Sequence, residues 1–248
     1  MVRAGRDVVG QAQTGTGKTA AFGIPLVEAI TPDVREPQAL VLVPTRELAV
    51  QVTHEISRLG QFCGIRVVAI YGGQAMSVQL AALRRDVHII VATPGRLMDH
   101  MQRGTVNIGH VRSVVLDEAD RMLDMGFIPD IERIFQLTPF TRQTLFFSAT
   151  MAPEIERITN TFLHAPERIE VARQATASET ITQRLIEISP TRKDQTAKQK
   201  RELLRALIDA EGPETGKGGL KNAIIFCNRK TDVDIVAKSL AKHGYDAA

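Results

Sequence analysis

Cysteine is scarce in this 248-residue chain: Cys63 and Cys227 stand far apart, with no metal-ligand spacing around them. They read as buried free thiols in a reducing cytosol. The six histidines, His54, His88, His100, His110, His164 and His243, also lack metal spacing and read as structural or solvated. No apolar run is long enough to cross a bilayer and no secretory leader is expected, so a cytoplasmic location is. Neither sign of charge dominates. The net charge of +3 permits a nucleic-acid partner without arguing for one. Internal repeats and low-complexity tracts are missing. What remains is a chain of ordinary hydrophobic content, 44%, enough for a sizeable core in one large domain or two small ones.

The stretch that organises the chain is Ala12-Gln13-Thr14-Gly15-Thr16-Gly17-Lys18-Thr19, entered through the apolar Val8–Val9 and left through Ala20–Phe22. It fits a phosphate-binding loop whose first glycine is replaced by Ala12. Gly15 and Gly17 let the backbone curl until successive N–H groups point at one anion. A new helix begins there, and its positive end faces the same spot. Lys18 adds a point charge for the outer phosphates, and the Thr19 hydroxyl suits Mg²⁺. A flexible Gly/Thr loop with a stray lysine is the bland alternative; the preceding strand and the Gly-Lys-Thr ending argue against it. Nucleoside triphosphate binding is the first expectation.

A pattern then repeats. The apolar segments Ala39–Val43, Val67–Tyr71, Val87–Ala92, Val114–Leu116 and Leu145–Phe147 are each followed at once by a polar or small-residue cluster. The clusters are Pro44-Thr45-Arg46-Glu47, Gly72-Gly73, Thr93-Pro94-Gly95-Arg96, Asp117-Glu118-Ala119-Asp120 and Ser148-Ala149-Thr150. Helical stretches intervene, among them Ala21–Ile30, Glu47–Gly60 and Ile128–Leu137. Apolar strands alternating with helices predict an α/β fold, a parallel sheet covered on both faces. Ligands of such sheets sit beyond the carboxyl ends of the strands, so the clusters are expected along one rim with the phosphate loop. Met122 and Met125, beside Leu123 and Phe127, read as core packing under the helix that follows Asp117.

Arg168–Val171 reads as a further strand, and residues 172–179, poor in large apolar side chains, as a linker. The domain boundaries are therefore expected at 1–171 and 180–248. Beyond the linker come strand-like Ile181–Ile188, helical Lys198–Ala210, a Gly-rich loop at Gly212–Gly219, strand-like Asn222–Cys227 and helical Thr231–His243. The basic run Arg192–Arg201 reads as a solvated helix start. So few strands fall below the mean sheet of about 5–6, and the chain is expected to be a fragment whose second domain is incomplete.

At the rim, Asp117 follows an apolar strand, as an acidic Mg²⁺ ligand should. Glu118 beside it is suited to polarise an attacking water, which needs a carboxylate that is not engaged by the metal. Arg46 and Arg96 offer planar forks for phosphate. Thr45, Thr93 and the backbone near Gly72, Gly73 and Gly95 offer further donors. Tyr71 is the one aromatic side chain nearby, so reading of a nucleic-acid backbone without sequence preference is favoured over base stacking.

Taken in order, AQTGTGKT at 12–19, PTREL at 44–48, GG at 72–73, TPGR at 93–96, DEAD at 117–120, SAT at 148–150 and IIFCNRK at 224–230 resemble a DEAD-box ATP-dependent RNA helicase over essentially the whole chain. The resemblance implies two RecA-like domains that close over ATP and single-stranded RNA and pry a duplex open locally. It implies that Gly15, Gly17, Lys18 and Thr19 hold phosphates and Mg²⁺, that Asp117 binds Mg²⁺ directly or through water, and that Glu118 activates water. It further implies that Asp120 couples to Ser148 and Thr150, linking hydrolysis to unwinding. Thr45, Arg46, Gly73, Thr93, Gly95 and Arg96 would touch the RNA backbone. The family's adenine-reading glutamine motif upstream and its arginines further downstream are not in the sequence. Weak nucleotide binding and slow hydrolysis are therefore expected of these 248 residues. A non-catalytic RNA- or partner-binding module with the same fold stands as the alternative, as does a DNA helicase or other phosphate-loop NTPase.

Overall fold

The computed structural model describes residues 2–12, 17–170, 184–189, 195–211, 220 and 222–247. They fall into two compact units, Met1–Thr176 and Ala177–Ala248.

The first unit is built on a parallel sheet. Its strands are β1 (Val8–Gln11), β2 (Ala39–Leu42), β3 (Val67–Ile70), β4 (Ile89–Ala92), β5 (Ser113–Leu116), β6 (Gln143–Ser148) and β7 (Glu167–Glu170). The seven run side by side in the order β3-β4-β2-β5-β6-β1-β7. Their helices are α1 (Lys18–Ala29), α2 (Arg46–Leu59), α3 (Met76–Leu83), α4 (Pro94–Gln102), α5 (Ala119–Asp124), α6 (Ile128–Leu137) and α7 (Pro153–Phe162).

The unbroken apolar runs of the strands serve two cores at once, because successive side chains leave a strand on opposite faces. Val8, Val41, Val91, Val115 and Leu145 pack on one face under Phe22 and Leu26 of α1 and Val52 and Ile56 of α2. Their neighbours Val9, Leu40, Leu42, Ile90, Leu116 and Phe146 pack on the other, under Leu97 of α4, Met122 of α5, Ile134 of α6 and Ile158 of α7. Gly10 is required by close approach: a Cβ there would lie 2.7 Å from the Phe147 ring.

The register decides where the clusters go. Leu42 pairs with Ala92 and with Leu116, Ile70 pairs with Ala92, Leu116 with Phe146, and Gln11 with Ser148. The strands end almost level, so the segments that follow them emerge along one edge.

Three details differ from sequence expectation. Cys63 is exposed, in the turn after α2, and Cys227 is half-buried, so neither is a buried thiol. Met125 is exposed, whereas Met122 is fully buried; α5 ends at Asp124, and Met125 caps it on the solvent side. In the second unit, α8 (Thr196–Ala210) and α9 (Lys230–Lys242) form, yet residues 184–189 and 222–227 carry no strand. A strand exists only through its ladder partner, and these segments have none among the described residues. Leu185, Ile224 and Phe226 accordingly stand exposed. The expected linker at 172–179, Ile181, Val171 and the Gly-rich 212–219 lie outside the described residues. No helix among the described residues is long and apolar enough to cross a membrane.

Candidate nucleotide and nucleic-acid site

Strand order divides the rim into two halves. The phosphate-loop strand β1, the Asp117 strand β5 and the Ser148 strand β6 are consecutive neighbours; so are β3, β4 and β2, whose ends carry Gly73, Thr93 and Thr45.

On the first half, α1 opens at Lys18 with Gly17 as its N-cap, in the left-handed region at φ 82°. Only glycine takes that conformation without a steric penalty. The helix therefore starts three residues earlier than its apolar pattern predicts. Gln13, Thr14, Gly15 and Thr16 lie outside the described residues, while Ala12, Lys18 and Thr19 lie within them. Ala12 donates its N–H to the Ser148 carbonyl, 3.1 Å away, which ties the entry of the loop to β6.

Lys18 Nζ stands 3.5 Å from Asp117 Oδ1, and both side chains are more than nine-tenths buried. Oδ1 accepts no hydrogen bond among the described residues. Burial pushes the Asp117 carboxyl above its ordinary pKa, the Lys18 charge opposes that rise, and Glu118 adds to it. A buried carboxylate oxygen left with one distant ammonium is an incomplete site. It fits Mg²⁺, a hard cation that takes one or two carboxylates and completes its shell with water and substrate phosphates. No group of three or more His, Cys, Asp or Glu side chains suited to a metal occurs among the described residues.

Glu118 has φ 55° and ψ 50°, the left-handed region, although it carries a side chain. Strain of this kind, of order 1–3 kcal/mol, persists where surrounding structure over-determines it. The Glu118 carboxylate meets the first turn of α5, where Arg121 Nη1 donates to Oε2 at 3.2 Å. Arg121 is well exposed, so this pair is worth less than about 1 kcal/mol and restrains the carboxylate only loosely.

Asp120, Ser148 and Thr150 form one closed hydrogen-bond set. The Asp120 N–H donates to Ser148 Oγ at 3.2 Å, and that hydroxyl donates to the Thr150 carbonyl at 2.7 Å. Thr150 returns two bonds to Asp120 Oδ2, from its N–H at 3.1 Å and its hydroxyl at 3.3 Å. Ser148 is fully buried. Ser148→Ala removes one acceptor and one donor, so a loss of about 1 kcal/mol of stability is expected. It would be read as a lower urea midpoint at unchanged m-value; an unmoved midpoint would show the set to be idle.

On the second half, Thr45 caps α2, its hydroxyl accepting from the Leu48 N–H at 3.3 Å. Arg46 is exposed, lies over the Tyr71 ring at 5.5 Å, and approaches Gly73: a Cβ on Gly73 would sit 3.8 Å from Arg46 Nη1. Gly73 has φ 84°. Thr93, buried, precedes α4, whose first turn contains Pro94, Gly95 and Arg96. Arg96 is not an open fork. Its side chain is only 15% exposed and Nη1 donates to the Gln74 carbonyl at 2.9 Å and to Gln79 Oε1 at 3.3 Å. The reason is geometric: on the first turn of α4 the guanidinium reaches the loop after β3 before it reaches solvent.

Sequence reading missed Gln79 and His100. A lone amide in the apolar Met76–Leu83 was the available signal for Gln79; nothing in the pattern marked His100.

A family profile described as DEAD/DEAH box helicase matches residues 1–158. The chain is 47% identical over 242 residues to the DEAD-box ATP-dependent RNA helicase CshA of Geobacillus kaustophilus, covering 98% of this chain and 49% of that protein. Against CshA of Bacillus subtilis the identity is 46%, over 98% of this chain and 46% of the relative. The chain thus spans about half the length of the curated relatives it matches. Among solved structures, a DEAD box protein from Methanococcus jannaschii aligns with all of this chain and 63% of its own, at 34% identity and TM-score 0.66. A profile match across the sheet domain and these identities agree with the rim geometry, and the chain belongs to the DEAD/DEAH box helicase family, with a RecA-like parallel sheet.

Proposed function

We propose that this chain is the ATP-binding and RNA-gripping part of an ATP-dependent RNA helicase that binds single-stranded RNA and locally unwinds duplexes. Residues 1–171 are read as the first RecA-like domain and 180–248 as part of a second, in a cytoplasmic protein. The observation that carries the reading is the buried Lys18–Asp117 pair beyond the ends of β1 and β5, the two strands that flank β6, with a carboxylate oxygen that accepts no hydrogen bond among the described residues.

In this reading the loop 12–17 and the start of α1 cradle the phosphates, and Lys18 neutralises the outer ones. Asp117 and Thr19 are the residues that would hold Mg²⁺, in part through water; the ion supplies charge neutralisation of the phosphates. Glu118 accepts a proton from the attacking water as its oxygen bonds to the γ-phosphorus. The bond from that phosphorus to the ADP oxygen breaks. Asp120, Ser148 and Thr150 carry the change at β5 to β6, where hydrolysis is coupled to release of the strand. Thr45, Arg46, Gly73, Thr93 and Gly95 face the RNA backbone, and Arg96 acts there chiefly by holding the Gln74 carbonyl.

Backbone reading has a measurable signature. Arg46→Ala is expected to weaken binding of oligouridylate and oligoadenylate alike and to reduce the slope of log affinity against log salt by about 1. The measurement is fluorescence anisotropy with labelled strands. Unchanged affinity and slope, or a loss confined to one base, would remove Arg46 from the RNA surface.

A further inference from the structure

Gln79 is 1% exposed, an amide inside the core-facing side of α3. Burying an amide is unfavourable unless its hydrogen bonds are made. Here all are. Nε2 donates to the Tyr71 carbonyl at 2.8 Å and to Gln74 Oε1 at 3.0 Å. Oε1 accepts from Arg96 Nη1 at 3.3 Å and from His100 Nε2 at 2.9 Å. Two donors and two lone pairs are the full capacity of a glutamine amide. The orientation is unambiguous, since the Tyr71 carbonyl can only accept.

That orientation dictates the state of His100, which is fully buried. Nε2 must carry a hydrogen to serve Gln79, and Nδ1 is left facing the Thr105 hydroxyl at 2.8 Å. The neutral ring with its proton on Nε2 serves Gln79, and its Nδ1 competes with the His100 carbonyl, 2.9 Å from Thr105 Oγ1, for the one hydrogen of the Thr105 hydroxyl. Burial and the Arg96 charge push its pKa down, in the same direction.

The groups collected by Gln79 are the ends of two strand-end clusters. Tyr71 and Gln74 flank Gly72 and Gly73, and Arg96 lies in the first turn of α4. The β3–β4 ladder stops at Ile70 and Ala92, and one further backbone bond, from the Thr93 N–H to the Ile70 carbonyl at 2.9 Å, follows it. Past that point two side chains join them: Arg96, whose Nη1 donates to the Gln74 carbonyl at 2.9 Å, and Gln79, which holds that same Nη1 together with the Tyr71 carbonyl and the Gln74 side chain. We propose that Gln79, seated by His100, is a positioning residue that locks the 72–74 loop to the first turn of α4. The two clusters then meet an RNA backbone as one preformed surface. This rests on the RNA-binding reading above. Preorganisation of this kind raises affinity by removing the ordering cost from the binding step.

The test uses the whole chain and labelled oligouridylate. Gln79→Met keeps the volume and removes all four bonds. It is expected to lower RNA affinity about tenfold, to leave affinity for an ATP analogue unchanged, and to lower the NMR backbone order parameters at Gly72, Gly73 and Gln74. His100→Phe should act in the same direction. His100→Gln, which keeps a donor near the Nε2 position, should restore most of the RNA affinity; this pair also decides the matter if Gln79→Met does not fold. RNA and nucleotide affinities that fall together, or His100→Phe binding RNA as well as His100→Gln, would overturn the proposal. So would order parameters at 72–74 that stay unchanged in Gln79→Met. If the unsubstituted chain does not bind oligouridylate while the order parameters at 72–74 still fall in Gln79→Met, the RNA reading fails and the lock is a purely structural one.

Discussion

Lys18→Ala is expected to abolish detectable ATP binding, with an affinity loss of about 10²-fold or more. A hydrogen bond to a charged group is worth about 1.5–3 kcal/mol, and Lys18 makes its contribution from a largely desolvated position. A second effect adds to the first. The Lys18 charge is what opposes the upward push of burial on the Asp117 carboxyl. Without it, Asp117 holds its proton more tightly and becomes a poorer partner for a hard cation. The substitution therefore weakens the phosphate and Mg²⁺ contacts together. Titration with a fluorescent ATP analogue, with and without Mg²⁺, measures both. A Lys18→Ala chain that keeps its affinity, or loses it equally whether or not Mg²⁺ is present, would contradict the shared site.

Glu118→Gln is expected to preserve ATP binding and to slow hydrolysis by about 10²–10⁴-fold, the usual range for a general base. The amide has the same shape, and the left-handed backbone at Glu118 suits glutamine no worse than glutamate. What is lost is the ability to take a proton. Loss of the Arg121 contact is a minor term, because Arg121 is exposed. Single-turnover phosphate release with protein in excess reads the chemical step even where multiple turnover is slow. Rates within a few-fold of the unsubstituted chain would mean that another group accepts the proton.

Arg96 and Gln79 mark where local reading of the chain stops. Thr-Pro-Gly-Arg at 93–96 is recognisable as a strand-to-helix junction with an arginine suited to phosphate. The direction of that arginine depends on the loop after β3, which belongs to a different stretch of chain. Cys63 and Met125 show the same limit at smaller scale. Each is apolar enough for a core, and each falls in a turn at the edge of a helix, so exposure follows from position rather than residue type.

Composition and local pattern by themselves determined the α/β class, most helices of both units and the chemistry available at each strand end. These are properties of contiguous residues: apolar runs, helix caps, glycines at a tight turn. Tertiary structure alone decided which ends are neighbours. A strand's apolar run states that it is buried on both faces but not beside whom. The order β3-β4-β2-β5-β6-β1-β7 comes from the joint packing of two helical layers. That order sets Lys18 against Asp117, closes the Asp120–Ser148–Thr150 set, and gives Gln79 and His100 a task that no stretch of sequence announces.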